Sequence, residues 1–190
     1  MKDLINIWLN APSPSDAELE RLGVSFYASQ KVGGLRMSNV RYGYRHLEAM
    51  VLRPGTNSGS EPALILPVFI DPPSIWRAVE NPALIDLVAF DPQNPNRWQT
   101  ARGEGVMLGE AAYWEAVNDD LELPVFRNPL EWVHAAGAGV FSLDGNSFNG
   151  AVIGRPFLRL VSRDTEHGEG MEAQLMRCPR VDLPEIRVAT

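Results

Sequence analysis

The chain reads as one mixed α/β or α+β domain, with a mixed β-sheet and short helices, spanning residues 1–190. Three observations carry that expectation. A length of 190 residues supports one sizeable hydrophobic core and only marginally two. Hydrophobic residues make up 45% of the chain and charged residues 22%, the balance of a globular domain and not of a disordered or fibrous one. Short apolar runs alternate with helix-patterned segments through the middle, while strand-like runs cluster toward both ends. With 15 Pro and 16 Gly, the elements are expected to be short.

SPSDAELERLG (13–23) has a serine N-cap at Ser13 or Ser15, Asp16 and Glu18 in its first turn and Gly23 as a stop, which predicts a short helix. VSFYASQKV (24–32) and EAMVLRP (48–54) read as strands. Between them, GGLRMSNVRYGYRH is expected to be a loop or a bent hairpin, and GTNSGSEP (55–62) a solvated loop. ALILPVFI (63–70) is the most apolar run and predicts a buried strand in which Pro67 implies a bulge or an edge. SIWRAVEN can make two helical turns and ALIDLVAF (83–90) a further strand, so residues 63–90 form a βαβ candidate near the lower length limit for a crossover.

VMLGEAAYWEAV (106–117) has helical spacing, with Met107, Ala111, Trp114 and Val117 on one face. LPVF (123–126) is strand-like. Asn128 suits a helix N-cap, Pro129 takes the first helical position, Gly137 or Gly139 ends that helix, and GVFSLD follows as a strand. Leu130, Val133 and His134 share one face, which makes His134 a residue that seats this short helix at the core edge. NSFNGAVIGRPFLRLVS (146–162) reads as a strand or hairpin region, DTEHGEGME as an exposed acidic loop and CPRVDLPEIRV as Pro-punctuated coil.

Several chemistries find no support in this pattern. A single cysteine, Cys178, offers no intramolecular disulfide and too little for a zinc site, which points to a reducing compartment. No run approaches the length of a membrane span, so the expected location is cytoplasmic with no membrane role. There is no G-x-S-x-G elbow, and GEGVMLGE (103–110) misses the dinucleotide fingerprint in spacing and in its preceding strand. No cofactor is expected. One enzymatic arrangement stays open: Asp71, Asp91 and Asp144 each follow a strand-like run and would suit Mg²⁺-dependent phosphoryl transfer if they met at one sheet edge, although each also has the place of a turn-forming aspartate.

Charge is segregated. The whole chain carries -7, yet Arg21, Lys31, Arg36, Arg41, Arg45 and Arg53 face only Glu48 between residues 21 and 53, six minus one, or +5. Within that segment Arg36, Arg41 and Arg45 alternate with Tyr42, Tyr44 and His46. Arginines meet phosphates and aromatic rings stack on unpaired bases, so this pattern suits single-stranded nucleic acid. Trp98 in PNRWQTAR is a candidate protein-contact anchor, and Asp119, Asp120 and Glu122 in NDDLEL form a candidate acidic contact.

PALIDLVAFDPQNPNRWQTARGEGVMLGE (82–110) followed by PVFRNPLEWVHAAGAGVFSLD (124–144) resembles uncharacterised proteins of bacterial prophages and integrated elements, which are met beside genes of the primase and helicase kind. The resemblance covers the middle third of the chain and implies a genomic context without any catalytic residue. The resulting expectation is a non-enzymatic accessory protein of a phage or mobile element that contacts protein or nucleic acid through residues 31–53. Two alternatives stand beside it: an acidic antagonist of a host defence nuclease, and the Mg²⁺-dependent enzyme.

Overall fold

A computed structural model describes residues 2–51, 59–70, 83–153, 155, 157–177 and 184–189. The SIWRAVEN segment, Asp71 and Cys178 lie outside the described residues. The architecture is mixed α/β, as the sequence predicts.

The chain opens with three helices, α1 (Lys2–Asn10), α2 (Asp16–Arg21) and α3 (Phe26–Lys31). α2 starts with a capping box: Ser15 Oγ accepts from the Glu18 N–H, and the Ser15 N–H donates to the Glu18 carboxylate at 2.7 Å. Gly23 then adopts φ +67, which stops the helix. Residues 26–31 are helical, correcting the strand expected over 24–32. Ser25 Oγ accepts from the Ala28 N–H at 3.0 Å, and this cap, with Ala28 and Val32 buried on the sheet, outweighs the β-propensity of Val24, Phe26 and Tyr27.

Five strands form the main sheet: β1 (Arg36–Tyr42), β2 (Leu47–Val51), β3 (Glu61–Ile70), β4 (Ala83–Phe90) and β5 (Trp98–Thr100). Their order is β2-β1-β3-β4-β5 and every pairing is antiparallel. The βαβ expectation is therefore corrected: β3 and β4 are neighbours running in opposite directions, where a βαβ unit needs parallel strands. Pro67 behaves as its missing N–H requires. β1 accompanies β3 only as far as the Arg36↔Ile65 pair, and the β3–β4 register shifts between Val68 and Phe69.

Alternation along the strands buries both faces. Leu64, Leu66, Val68, Val88 and Phe90 pack with residues of α2 and α3, while Ala63, Ile65, Leu87 and Ala89 face the α1 side, where Leu4, Trp8 and Ala11 cover them.

The rest of the chain builds β6 (Met107–Leu108), α4 (Glu110–Asp119), β7 (Glu122–Pro124), α5 (Pro129–His134), β8 (Phe141–Ser142), α6 (Gly145–Val152), β9 (Arg159–Ser162), α7 (Thr165–Leu175) and β10 (Glu185–Val188). β7, β9 and β10 make a small parallel sheet, ordered β10-β9-β7, over a second core centred on Tyr113, Leu123, Phe148, Leu160 and Leu175. α4 begins later than its spacing predicts, because Met107 and Leu108 pair with β8. Gly109 makes the turn at φ +82; a Cβ there would lie 2.0 Å from the Gly139 carbonyl oxygen, which also accepts from Trp132 Nε1 at 2.9 Å.

Two further expectations are corrected in this half. Residues 145–152 and 165–175 are helices, not a strand and an acidic loop. Each is started by an aspartate: Asp144 accepts from the Asn146 and Ser147 N–H groups, and Asp164 from the His167 N–H. Burial of Phe148, Val152 and Leu175 then offsets the low helix propensity of Gly145, Gly150, Gly168 and Gly170. α5 follows its sequence signals, with Asn128 as N-cap and Pro129 at the first position. His134 seats that helix on α2 and not on the sheet, since Nε2 lies 2.8 Å from the Leu22 carbonyl oxygen.

One buried carboxylate joins the two halves. Asp86, on β4, has no solvent exposure. Its Oδ1 accepts from the Leu87 N–H at 2.8 Å and the Arg102 N–H at 2.9 Å, and its Oδ2 from the Glu104 N–H at 2.9 Å and the Gly105 N–H at 3.5 Å. The segment between β5 and β6 thus folds around one side chain. Asp86→Ala strands these donors and is expected to cost about 3 kcal/mol. Urea denaturation checks this, with the midpoint falling at an unchanged slope.

Candidate functional site

The β1–β2 hairpin does not lie flat in the sheet. Tyr42 and Leu47 pack on the α1 side with Ala63, Ile65 and Ala89, where small side chains let the hairpin fold over the face. Its turn reaches β5, the strand at the opposite edge. The Gly43 N–H donates to Gln99 Oε1 at 2.8 Å, Gln99 Nε2 donates to the Gly43 carbonyl at 2.6 Å, and His46 Nδ1 lies 3.3 Å from Thr100 Oγ1. Tyr42 is held under the Arg97 guanidinium at 4.4 Å, and Arg97 pairs with both carboxylate oxygens of Glu61. Burial, reinforced by the nearby Asp91 charge, pushes the Tyr42 phenol up to about 12.

Between these anchors the turn exposes its tip. Tyr44 is 96% exposed, and Arg41 on β1 and Arg45 and His46 in the turn are also exposed. Arg36 is not part of this group. It is six residues from Tyr42 along β1, its guanidinium stacks on Trp8 at 5.3 Å, and Nη1 donates to Ser13 Oγ at 2.6 Å. Alternation also puts Arg41 on the strand face opposite Arg36 and Tyr42. Of the five residues singled out by sequence, Tyr44 and Arg45 are exposed in the turn and Arg41 is exposed on β1, while Arg36 and Tyr42 serve packing.

Trp98 belongs to β5 and not to a loop. Its ring meets Phe141 edge to face at 5.0 Å and it is partly buried. Asp120 and Glu122 pair with Arg159 at 3.8 Å and Arg187 at 3.3 Å, and Asp119 is exposed at the end of α4. Asp91 and Asp144 take structural places. Asp91 Oδ1 accepts from the Gln93 N–H at 2.8 Å, and Asp144 caps α6, where bonds from Ser147 and Asn146 hold its carboxyl below the usual range. Among the described residues, no three His, Cys, Asp or Glu side chains gather into a group that could hold a metal ion. No helix among them is long and apolar enough to cross a membrane.

A cleft of about 360 Å³ opens on the other side of β5 from the hairpin turn, between the main sheet and helices α6 and α7. Trp98, Phe141 and Phe148 form its apolar walls, and Asn149, His167 and Gln174 supply polar groups. Asn149 is only 3% exposed; its Nδ2 donates to the Gln174 carbonyl at 3.5 Å and its Oδ1 accepts from Gln174 Nε2 at 3.4 Å, both long contacts. His167 Nδ1 is buried with no hydrogen-bond partner among the described residues. Arg127, at the rim, is paired with Asp164.

No protein-family model matches the sequence, and no curated protein or solved structure is significantly similar to it. What the chain does is therefore argued from its own geometry.

The sequence pattern does not mark the anchors Gln99 and Thr100 or the cleft residues Asn149 and Gln174. A lone amide that becomes functional by meeting another distant in the chain leaves no local pattern. His167 was visible, but only as part of an acidic segment whose helical state was missed.

Burial, followed by the charge of Arg127, lowers the His167 pKa below its ordinary 6.5. The unfolded chain then binds the proton more tightly than the folded one. Stability from the neutral ring is complete above 6.5 and is lost as pH falls through the lower folded value. Urea midpoints should fall between about pH 7 and about pH 5, and His167→Gln should remove part of that fall.

Proposed function

We propose that this is a non-enzymatic binding protein that contacts single-stranded nucleic acid through the β1–β2 turn. The observation that carries the proposal is the anchored turn, which holds Tyr44 at 96% exposure with Arg41 and Arg45 on either side in the chain. An exposed aromatic ring can stack on an unpaired base, and arginines in the same segment can meet its phosphates. Fixing the turn at Gly43 through Gln99 removes ordering cost from the binding step. The net charge of -7 confines phosphate attraction to this local surface. The resemblance of residues 82–110 and 124–144 to proteins of prophages and integrated elements favours an accessory role beside a replication enzyme in the cytoplasm.

Anisotropy titration of a labelled single-stranded oligonucleotide tests the proposal. Binding should weaken with salt, and log K should lose about 0.7 of slope against log salt for each arginine–phosphate contact removed. Tyr44→Ala should weaken binding about tenfold, near 1.4 kcal/mol, and the Arg41→Glu, Arg45→Glu pair should abolish it. An oligonucleotide that fails to bind at low salt, or binds the double variant as well as the parent, refutes the nucleic-acid assignment. Gln99→Ala removes both Gly43 bonds to β5, leaving the His46–Thr100 contact, and should weaken the same binding by several fold.

A further inference from the structure

The geometry points to a second site: we infer that the cleft between β5, α6 and α7 binds a nucleobase, with its ring against the wall of Trp98, Phe141 and Phe148 and its polar edge on the side chains of Asn149 and Gln174. This goes beyond the turn at Tyr44 and involves none of its residues.

Size, shape and polarity agree on that class of ligand. A volume of about 360 Å³ falls in the range of small-molecule pockets, at its lower end. Trp98 and Phe141, set nearly perpendicular to each other in the wall, offer a ring face and a ring edge to an aromatic ligand. Each carboxamide carries a donor and an acceptor side by side, the combination that pairs with a base edge, and adenine is the usual partner of Asn and Gln. The two side-chain amides meet at one long contact of 3.4 Å, and Asn149 Nδ2 donates at 3.5 Å to the backbone carbonyl of Gln174, so a base edge that bonds the Gln174 amide more closely improves on the contact it replaces.

His167, which also lines the cleft, has an unsatisfied polar atom. Its Nδ1 is buried without a partner among the described residues, an arrangement that costs free energy unless something fills it. The rim also argues for a neutral ligand: Arg127 is committed to Asp164, so the cleft does not present an open cation to a phosphate. Gly145 fits its place beside the amides. A Cβ there would lie 2.4 Å from Gln174 Nε2, so any larger residue displaces that amide from the cleft. The displaced atom is the end of a flexible side chain, so the fold itself should tolerate the change.

A nucleobase can arrive as a free nucleoside or as one base of a strand, and two measurements on the full chain separate these. Calorimetric titration with adenosine, together with the Trp98 indole N–H resonance, reads the cleft directly; ribose and benzyl alcohol serve as controls for the sugar and for an apolar ring without a polar edge. Adenosine is expected to bind and to shift the Trp98 signal, while Gly145→Ala and Gln174→Leu each weaken it about tenfold, Gly145→Ala with an unchanged urea midpoint. Should either variant unfold, the Trp98 shift in the parent protein still decides the matter. The inference is overturned if adenosine gives neither heat nor a Trp98 shift at millimolar concentration, if either control binds as well, or if both folded variants keep full affinity.

Tyr44→Ala should leave adenosine binding unchanged, and its loss there would overturn a separate site. The failure of the turn and the failure of the cleft are thus distinguishable. Oligonucleotide affinity then identifies the source: if Gln174→Leu leaves it unchanged the cleft takes free nucleosides, and if Gln174→Leu weakens it the cleft takes a base from the strand, both outcomes supporting a nucleobase site.

Discussion

The fold depends on a single carboxylate that never meets water. Asp86 gathers four backbone donors from Leu87, Arg102, Glu104 and Gly105. A buried charge is tolerable only when its lone pairs are filled, and here they are filled by the segment that leaves the main sheet for the parallel one. The consequences spread from that segment. Gly103 lies against the ring of His46, and Gly105 lies against Val68 and Leu143, so the path around Asp86 sets both the seat of the hairpin turn and one border of the cleft.

β5 is only three residues long, yet it serves both surfaces because adjacent residues in a strand point to opposite faces. Trp98 turns toward the cleft and Gln99 toward the hairpin. Thr100 adds the contact with His46. A short edge strand with divided duties is economical, since the backbone that fixes one side chain fixes its neighbour. It also ties the geometry of the two candidate sites to the same hydrogen-bonded register with β4.

What the sequence displays best is what local chemistry decides alone. The capping box of Ser15 and Glu18, the Asn128–Pro129 helix start and the apolar run of β3 are each settled by residues within a few positions of one another. Residues 24–32 and 145–152 fail for a physical reason: their intrinsic preferences oppose the conformation that burial imposes, and burial of Ala28, Val32, Phe148 and Val152 is decided by partners far away in the chain. The sites divide in the same way. An arginine and tyrosine cluster is visible as a string of letters, and of its members Arg41, Tyr44 and Arg45 are exposed. Whether Arg36 faces solvent depends on Trp8 and Ser13, which no window around β1 contains.

Pro67 has an effect beyond shaping its own strand. Past Ile65, β1 no longer accompanies β3, and a long apolar strand with a free side is an invitation to another chain. The proline withholds a donor from that side. Gly33 approaches so closely that a Cβ would lie 2.8 Å from the Phe69 ring and 2.9 Å from the Pro67 ring, which puts the lead-in to β1 directly over the gap. The most hydrophobic ribbon in the protein is in this way guarded against intermolecular strand addition at the place where its own sheet stops protecting it.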